Sequence, residues 1–389
     1  MTKKWVNIAD VLFFQEGPGV RNTQYTTSGV KLLNVANLVD GKVDLSKSDR
    51  YISEEEAYGK YRHFLCDDGD FVIASSGIKV EYIDKKMGFV DASMLPLCMN
   101  TSTIRFKVLD ENQLRIRYFM YYLKSKHFKE QLTKQITGSA QLNYGPSHLK
   151  KMIMPLIDIT VQDEIISCMD KLQSIIETRQ RELIELDRLM KARFVELFGD
   201  PRSNPFGFEK KRLKDTCKVI TGNTPSRAIA EYYGDYIEWI KTDNIVSGIL
   251  NPTQATESLS EKGMNVGRTV EKDSILMACI AGSIASIGRV CITDRTVAFN
   301  QQINAVVPEQ YNILFLYVLF QMSKDYLVED INMALKGILS KSKLEEKEFI
   351  IPPMDLQEQF SDFVKQVNKS KLNKIAARWP AKAVTQFFF

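Results

Sequence analysis

The chain has 389 residues, 44% apolar and 26% charged, enough for two or three packed domains and unlike a disordered or fibrous polypeptide. Its net charge of +4 is too small to announce a nucleic-acid or membrane partner through charge alone. Six cysteines (Cys66, Cys98, Cys168, Cys217, Cys279, Cys291) and three histidines lie scattered without a Cys-x-x-Cys pair, which argues against a zinc site or a disulfide framework.

In chain order, Met1–Asp10 lacks the apolar core of a signal segment, and a polar, glycine-bearing loop follows at Gln15–Gly29. Val30–Leu38 reads as a strand closed by the turn Asp40-Gly41. Phe71–Ala74 is a buried-strand candidate leading into the small-residue turn Ser75-Ser76-Gly77. Strand-like Ser102–Val108 precedes a helix over Leu114–Gln135, rich in Tyr, Phe and Leu. A glycine-containing loop, Thr137–Gln141, the turn Tyr144–Ser147 and Pro155 complete the first flank.

The next stretch, Thr160–Gly199, contains no glycine or proline before Gly199 and is dense in helix formers. Alternating steps of four and three residues connect Ile165, Met169, Leu172, Ile176, Arg179, Leu183, Leu186, Met190, Arg193 and Leu197, an apolar seam interrupted twice. This 3.5-residue repeat predicts a coiled-coil helix. At 1.5 Å per residue, roughly 40 residues would span about 60 Å. Gly199-Asp200-Pro201 supplies the stop.

Beyond the stop the order of features repeats. Thr221–Arg227 takes the place of the polar loop, Ile237–Asn244 with the turn Ser247-Gly248 answers Val30–Gly41, and Val270–Met277 answers the buried strand. Ile303–Val307 leads to an aromatic helix, Asn312–Glu329, then to Lys336-Gly337, Pro352-Pro353 and a further helix over Leu356–Ala377. Similarity at a period of about 200 residues marks a duplicated unit, with Gln162 and Gln357 opening corresponding helices. Net charge is +5 for residues 1–155, −4 for 156–200, −1 for 201–355 and +4 for 356–389. The acidic rod is therefore expected to meet protein rather than phosphate. In the second helix, Leu356, Phe360, Phe363 and Val367 keep the seam spacing, after which Ser370 and Lys374 take the next positions and Arg378-Trp-Pro380 interrupts it.

Three stretches carry a resemblance to the specificity subunits of type I restriction–modification systems, over essentially the whole chain to about Ala376. They are Thr221–Arg227 followed by Tyr232–Asn244; Asp273–Arg289, ending near Phe299–Ile303; and a twice-present pattern of polar glycine loop, Leu-Lys/Glu segment, proline and helix-opening Gln, at Thr137–Ile165 and Lys336–Phe360. The resemblance implies an α+β chain of two tandem, strand-rich target recognition domains separated by long helices that pair as an antiparallel coiled coil, with a pseudo-twofold internal repeat. The expected divisions are residues 1–155 and 201–353 for the recognition domains, 156–200 and 354–378 for the helices, the second one shortened, and 379–389 for an atypical tail. It also implies double-stranded DNA, two modification subunits and restriction subunits as partners. No membrane partner is implied, and Ile313–Met322 is too short to span one. The chain is read as soluble and cytoplasmic. It would bind no cofactor or metal itself; S-adenosylmethionine, ATP and magnesium would serve the partner subunits.

DNA readout needs polar side chains on loops held by a rigid scaffold, with cations for phosphate. Such positions in the first domain are Arg21, Asn22, Ser75, Ser76, Lys79, Tyr82, Lys85 and Lys86. In the second they are Thr224, Ser226, Arg227, Lys241, Asp243, Ser283, Ser286, Arg289 and Gln302. Serine and glycine turns also serve only as turns, and exposed lysines are commonly just solvated. Gln162 and Gln357 read as helix-start residues rather than DNA contacts. No catalytic residue is assigned: the chain has neither a phosphate-binding Gly-x-x-x-x-Gly-Lys-Ser/Thr loop nor an Asn-Pro-Pro-aromatic motif, and Asp330 with Glu345-x-Lys347 is a weak imitation of a nuclease pattern. Two other readings stay open at this point: a stand-alone DNA-binding or scaffold protein, and the recognition fragment of a larger modification enzyme.

Overall fold

The computed structural model describes residues 3–136, 144–331 and 337–376, with side chains through Leu372. The loop expected at Thr137–Gln141, Lys336, the side chain of Lys374 and the tail from residue 379 lie outside them. The chain divides into two compact units, and the division falls within one helix, between Glu177 and Thr178. They are called domain 1 and domain 2 below.

Domain 1 is built on a four-stranded antiparallel sheet in the order Leu12–Glu16, Thr103–Val108, Phe71–Ala74, Met87–Phe89. Phe71–Ala74 is buried at every position because it lies inside the sheet with neighbours on both edges and both faces, so an unbroken apolar run is what such a strand requires. A second sheet places Val30–Leu33 between Tyr51–Ile52 and Leu97–Met99, the last pairing parallel. Lys4–Asn7 pairs with Ile153–Leu156.

Domain 2 repeats this plan. Its four-stranded sheet has the order Cys217–Thr221, Ile303–Pro308, Ile275–Ala278, Val290–Ile292. Ile237–Ile240 again pairs parallel with one strand, Val297–Phe299, and antiparallel with another, Ser258–Leu259. Glu209–Arg212 pairs with Glu348–Ile351 as Lys4–Asn7 does with Ile153–Leu156.

Two expected elements are shorter than the sequence indicated, each of them in both copies. The strand expected at Val30–Leu38 ends at Leu33, and Val35–Asn37 forms a 3-10 turn because Asn37 Oδ1 accepts the N–H of Asn34. The same turn, Thr242–Asn244, follows Ile240, with Asn244 Oδ1 accepting from Lys241 N–H. The aromatic helix expected over Leu114–Gln135 is two helices, Ile116–Leu123 and Lys126–Gln135. Buried Ser125 stops the first and caps the second by accepting the N–H of Phe128. The counterpart over Asn312–Glu329 breaks at Ser323 into Ile313–Met322 and Lys324–Val328.

The long helix spans Ile159–Phe198. Gly199 ends it at φ +70°, a left-handed conformation that costs glycine little, and Asp200 Oδ1 then accepts the N–H groups of Arg202 and Ser203. In domain 1 its buried residues are Gln162, Ile165 and Met169, with Leu172 half-buried against the core. In domain 2 Met190, Phe194 and Phe198 are buried, and both phenyl rings pack on Phe315 and Phe360 with centroids 4.8–5.7 Å apart. Burying each such ring contributes about 1.5–3 kcal/mol. Phe194 and Phe198 stand outside the expected seam; Leu186 and Leu197 within it are half-buried, as are Ile176 and Leu183.

The second long helix, Met354–Ala376, runs antiparallel to the C-terminal part of the first within domain 2: Phe360 meets Phe194 and Phe198, and further along Lys371 pairs with Asp187. Its buried face is not quite the expected one. Phe360 and Val367 are buried as expected, but Val364 is buried while Phe363 and Leu356 are half-buried, and Lys371 is buried while Ser370 is exposed. Phe363 and Val364 are both apolar, so hydropathy could not choose between them; Val364 lies in the buried core shared by Phe194 and Phe315, and Phe363 at its margin.

Candidate nucleic-acid interface

The surface loops hang on anchors that occur twice. Gly17 and Gly222 open the polar loops, and a Cβ on either would lie 2.1 or 2.2 Å from the carbonyl oxygen of Asn100 or Asn300. Only glycine fits so close a backbone approach. The helix-opening glutamines are fully buried. Gln162 Oε1 accepts the N–H of Arg115 at 2.9 Å, and its Nε2 donates to Gln113 O and Ile157 O. Gln357 Oε1 accepts the N–H of Asn312 at 2.9 Å, and its Nε2 donates to Pro352 O. Each glutamine thus fastens the start of a long helix to the start of the aromatic helix in its own domain.

The loops after the central strands are anchored in parallel ways. Ala74 N–H bonds to Lys86 O and Ala278 N–H to Arg289 O, so Lys86 and Arg289 occupy equivalent positions. Lys86 Nζ donates to Val35 O and Arg289 Nη2 to Thr242 O, both at 3.4 Å, and Val35 and Thr242 each begin the matching 3-10 turn. A second cation grips each loop from the helix after the aromatic helix. Lys129 Nζ donates to Glu81 O and pairs with Asp84, and Lys324 Nζ donates to Ala285 O. Four cations are therefore directed at backbone within their own domain.

These anchors change how the sequence-predicted residues are understood. Ser75 is withdrawn from the surface: it is buried, with Oγ donating to Glu16 Oε1. Half-buried Gln302 braces Asn300, whose amide donates to Gln302 Oε1. Arg21, Asn22, Lys79, Tyr82 and Lys85 are exposed, and Ser76 is half-buried. Lys79, Tyr82, Lys85 and Lys86 surround one shallow hollow with Asp40 and Ile78, and the Lys85 ammonium lies 5.8 Å from the Tyr82 ring. In domain 2, Ser226, Asp243 and Ser283 are exposed; Ser283 and half-buried Ser286 share a hydroxyl contact of 3.0 Å. Thr224 is exposed and donates to Gln301.

Arg227 and Lys241 converge on a residue that the sequence did not single out, Glu257. Arg227 Nη2 lies 2.7 Å from Glu257 Oε2, and Lys241 Nζ pairs with the other carboxylate oxygen. Hydrogen bonds from Lys241 and Arg227 hold the Glu257 carboxyl below its usual pKa. The Arg227 guanidinium also covers the Tyr233 ring at 4.4 Å and the Trp239 ring at 5.1 Å. Domain 1 has Arg50 at the Glu257 position, since Leu32 N–H bonds to Arg50 O as Trp239 N–H bonds to Glu257 O. Aligning the two copies residue by residue would have revealed Arg50 and Glu257; neither lies in a motif. The nuclease-like triplet does not converge: Lys347 is buried, pairs with Glu329 and Asp330 and covers Tyr326, whereas Glu345 pairs with Lys341.

The molecule is thus a tandem duplicate, with two copies of one strand-rich scaffold and surface loops that differ in charge at equivalent positions. The profile of the type I restriction modification DNA specificity domain matches it twice, over residues 18–188 and 205–378. The chain belongs to that family. The HindI specificity subunit of Haemophilus influenzae is 33% identical over 146 residues, 36% of this chain and 31% of that protein. The MjaIX specificity subunit of Methanocaldococcus jannaschii is 28% identical over 184 residues, 44% of this chain and 41% of that protein. The matches therefore span less than half the length of either relative. The crystal structure of a type I restriction-modification S subunit from M. genitalium has the same fold, with a TM-score of 0.55 at 14% identity, covering 100% of this chain and 96% of the other. A chain from a structure of a type I R-M system aligns similarly, with a TM-score of 0.54 at 14% identity over 99% of this chain and 95% of the other. Among the described residues no helix is long and apolar enough to cross a membrane.

Proposed function

We propose that this chain is the DNA specificity subunit of a type I restriction–modification complex, with each domain reading one half of a two-part site in double-stranded DNA. The observation that carries the proposal is the duplication itself. The order of the four-stranded sheet and the buried glycine and glutamine anchors recur in both copies, while the loops they hold differ, with Arg50 in one copy where Glu257 stands in the other. A common scaffold with unlike loops suits the reading of two unlike half-sites.

The reading surfaces comprise Arg21, Asn22, Ser76, Lys79, Tyr82 and Lys85 in domain 1, and Thr224, Ser226, Arg227, Lys241, Asp243, Ser283 and Ser286 in domain 2. Lys86, Arg289 and Gln302 hold loops in place. The long helices offer docking faces to two modification subunits, and restriction subunits join that assembly. Methyl transfer and cleavage, with S-adenosylmethionine, ATP and magnesium, belong to those partners. Half-buried Ile176, Leu183 and Leu186 on the first long helix support protein docking, because apolar side chains left partly open favour further burial.

The test is a domain exchange. Replacing residues 1–155 by the first domain of another family member, in a complex with its modification subunits, is expected to change one half of the methylated site and leave the other unaltered. A change in both halves would overturn the modular assignment. Methylation or cutting by the purified chain alone, supplied with DNA, S-adenosylmethionine, ATP and magnesium, would overturn its non-catalytic role.

A further inference from the structure

We infer that Arg50 and Arg227 are the guanine-reading side chains of the two half-sites, one per domain, and that Glu257 orients Arg227 for this task. The inference rests on the DNA-reading function proposed above. Both guanidinium groups lie over aromatic rings beside corresponding strands. Arg50 lies 5.2 Å from the Tyr25 ring centroid, with Nη1 3.4 Å from the Tyr25 hydroxyl; Arg227 covers Tyr233 and Trp239. The two arginines reach this place by different routes. Arg50 occupies the position of Glu257 on the strand side, while Arg227 comes from the polar loop opened by Gly222.

Stacking fixes the plane of a guanidinium and leaves its edges free to donate. Two parallel N–H groups in that plane match the O6 and N7 acceptors of guanine in the major groove, a fit that a lysine ammonium cannot reproduce as a planar fork. In domain 2 one nitrogen, Nη2, is already held by Glu257, and the Arg227 side chain remains 56% exposed, which leaves it accessible to a ligand. The loop that carries Arg227 is braced beneath it, with Tyr233 Oη donating to Pro225 O and Trp239 Nε1 donating to Asn223 O.

A phosphate contact would call for different surroundings. A carboxylate beside a phosphate-binding arginine repels the ligand, and here Glu257 lies directly against Arg227 and Lys241, leaving the three groups with a net charge of only +1. A base edge carries no net charge, so the carboxylate costs a guanine contact little and weakens indiscriminate binding to the backbone. In domain 1 the nearby carboxylate Asp49 pairs with Lys31, and Arg50 keeps its full charge over Tyr25. Arg50 is therefore expected to contribute more to salt-dependent affinity than Arg227.

The experiment is selection of bound duplexes from a randomised DNA pool by the full-length chain in complex with its modification subunits and by the same complex carrying the Arg50→Lys, Arg227→Lys or Glu257→Gln variant. The lysine variants keep the charge and lose the fork; Glu257→Gln keeps the shape and loses the buttress. Arg227→Lys is expected to lower guanine preference at one position of one half-site by on the order of ten- to a hundredfold, with Glu257→Gln relaxing the same position. Arg50→Lys is expected to do so at one position of the other half-site only. An unaltered selected sequence with either lysine variant, while the parent chain still selects a two-part site, overturns the inference and leaves the DNA-reading function intact. No change with Glu257→Gln overturns the orienting role. Failure of the parent chain to select any sequence sinks the DNA-reading function itself.

Discussion

Gln162 and Gln357 let the strength of the duplicated anchor be worked out. Replacing Gln162 with alanine removes three hydrogen bonds at a fully buried position: one to the N–H of Arg115 and two to the carbonyls of Gln113 and Ile157. At a net value of about 1 kcal/mol each, the lost bonds account for roughly 3 kcal/mol. The stranded Arg115 N–H adds about 1–3 kcal/mol. The total of about 4–6 kcal/mol is large against the stability of an ordinary domain. Gln357→Ala loses two such bonds, to Asn312 N–H and Pro352 O, so its total is about 3–5 kcal/mol. Methionine at either position retains most of the volume and separates lost hydrogen bonding from lost packing. A chain with two domains need not unfold in one step, so the measurement is amide hydrogen exchange on the intact protein, followed domain by domain. Gln162→Ala should accelerate exchange in Thr103–Val108 and Ile116–Leu123 and leave Ile303–Pro308 unchanged, with Gln357→Ala doing the reverse. A change below about 1 kcal/mol in both the alanine and methionine variants would refute the anchoring role.

Lys129→Ala should weaken DNA binding without altering its salt dependence, because the lysine holds a loop, whereas Lys79→Ala, which removes an exposed cation of the proposed reading surface, should reduce the salt slope by about 1; a reduced slope for Lys129→Ala would sink that division of labour. Lys371→Ala should loosen the helix pair of domain 2 by about 2 kcal/mol, and Lys371→Met by less, since methionine fills the buried site without a charge; equal losses measured by amide exchange in Met354–Ala376 would contradict this. Ellman's reagent at pH 8 should titrate one thiol quickly, exposed Cys168, because burial pushes Cys66, Cys98, Cys217, Cys279 and Cys291 up to about 12; several fast thiols would disprove it. The folded-state pKa of Glu257 is depressed, so its contribution to the order of the Arg227 loop is complete above the ordinary value of 4.5 and fades as pH falls through the lower folded value; loss of exchange protection in residues 223–233 well above pH 4.5 would argue against that ion cluster.

Much of the architecture was legible because it is encoded locally. Apolar spacing marked the long helix, the run Phe71–Ala74 marked a central strand, and the recurrence of the same order of features exposed the duplication. Local signals also had limits. Asn37 and Ser125 end elements through side-chain hydrogen bonds that compete with the regular backbone pattern, so the strand and the helix are shorter than hydropathy alone predicts. Site chemistry was less legible, because a side chain's availability depends on partners far away in the chain. Ser75 is engaged by Glu16, Lys86 by Val35, Arg289 by Thr242 and Arg227 by Glu257, and none of these pairs forms a sequence motif. The sequence by itself determined the repeat, the helices and the apolar strands, since periodicity and turn chemistry act between neighbours. Only the tertiary structure decided which of Phe363 and Val364 faces inward and which cations brace a loop, because those outcomes follow from packing between segments that the sequence holds far apart.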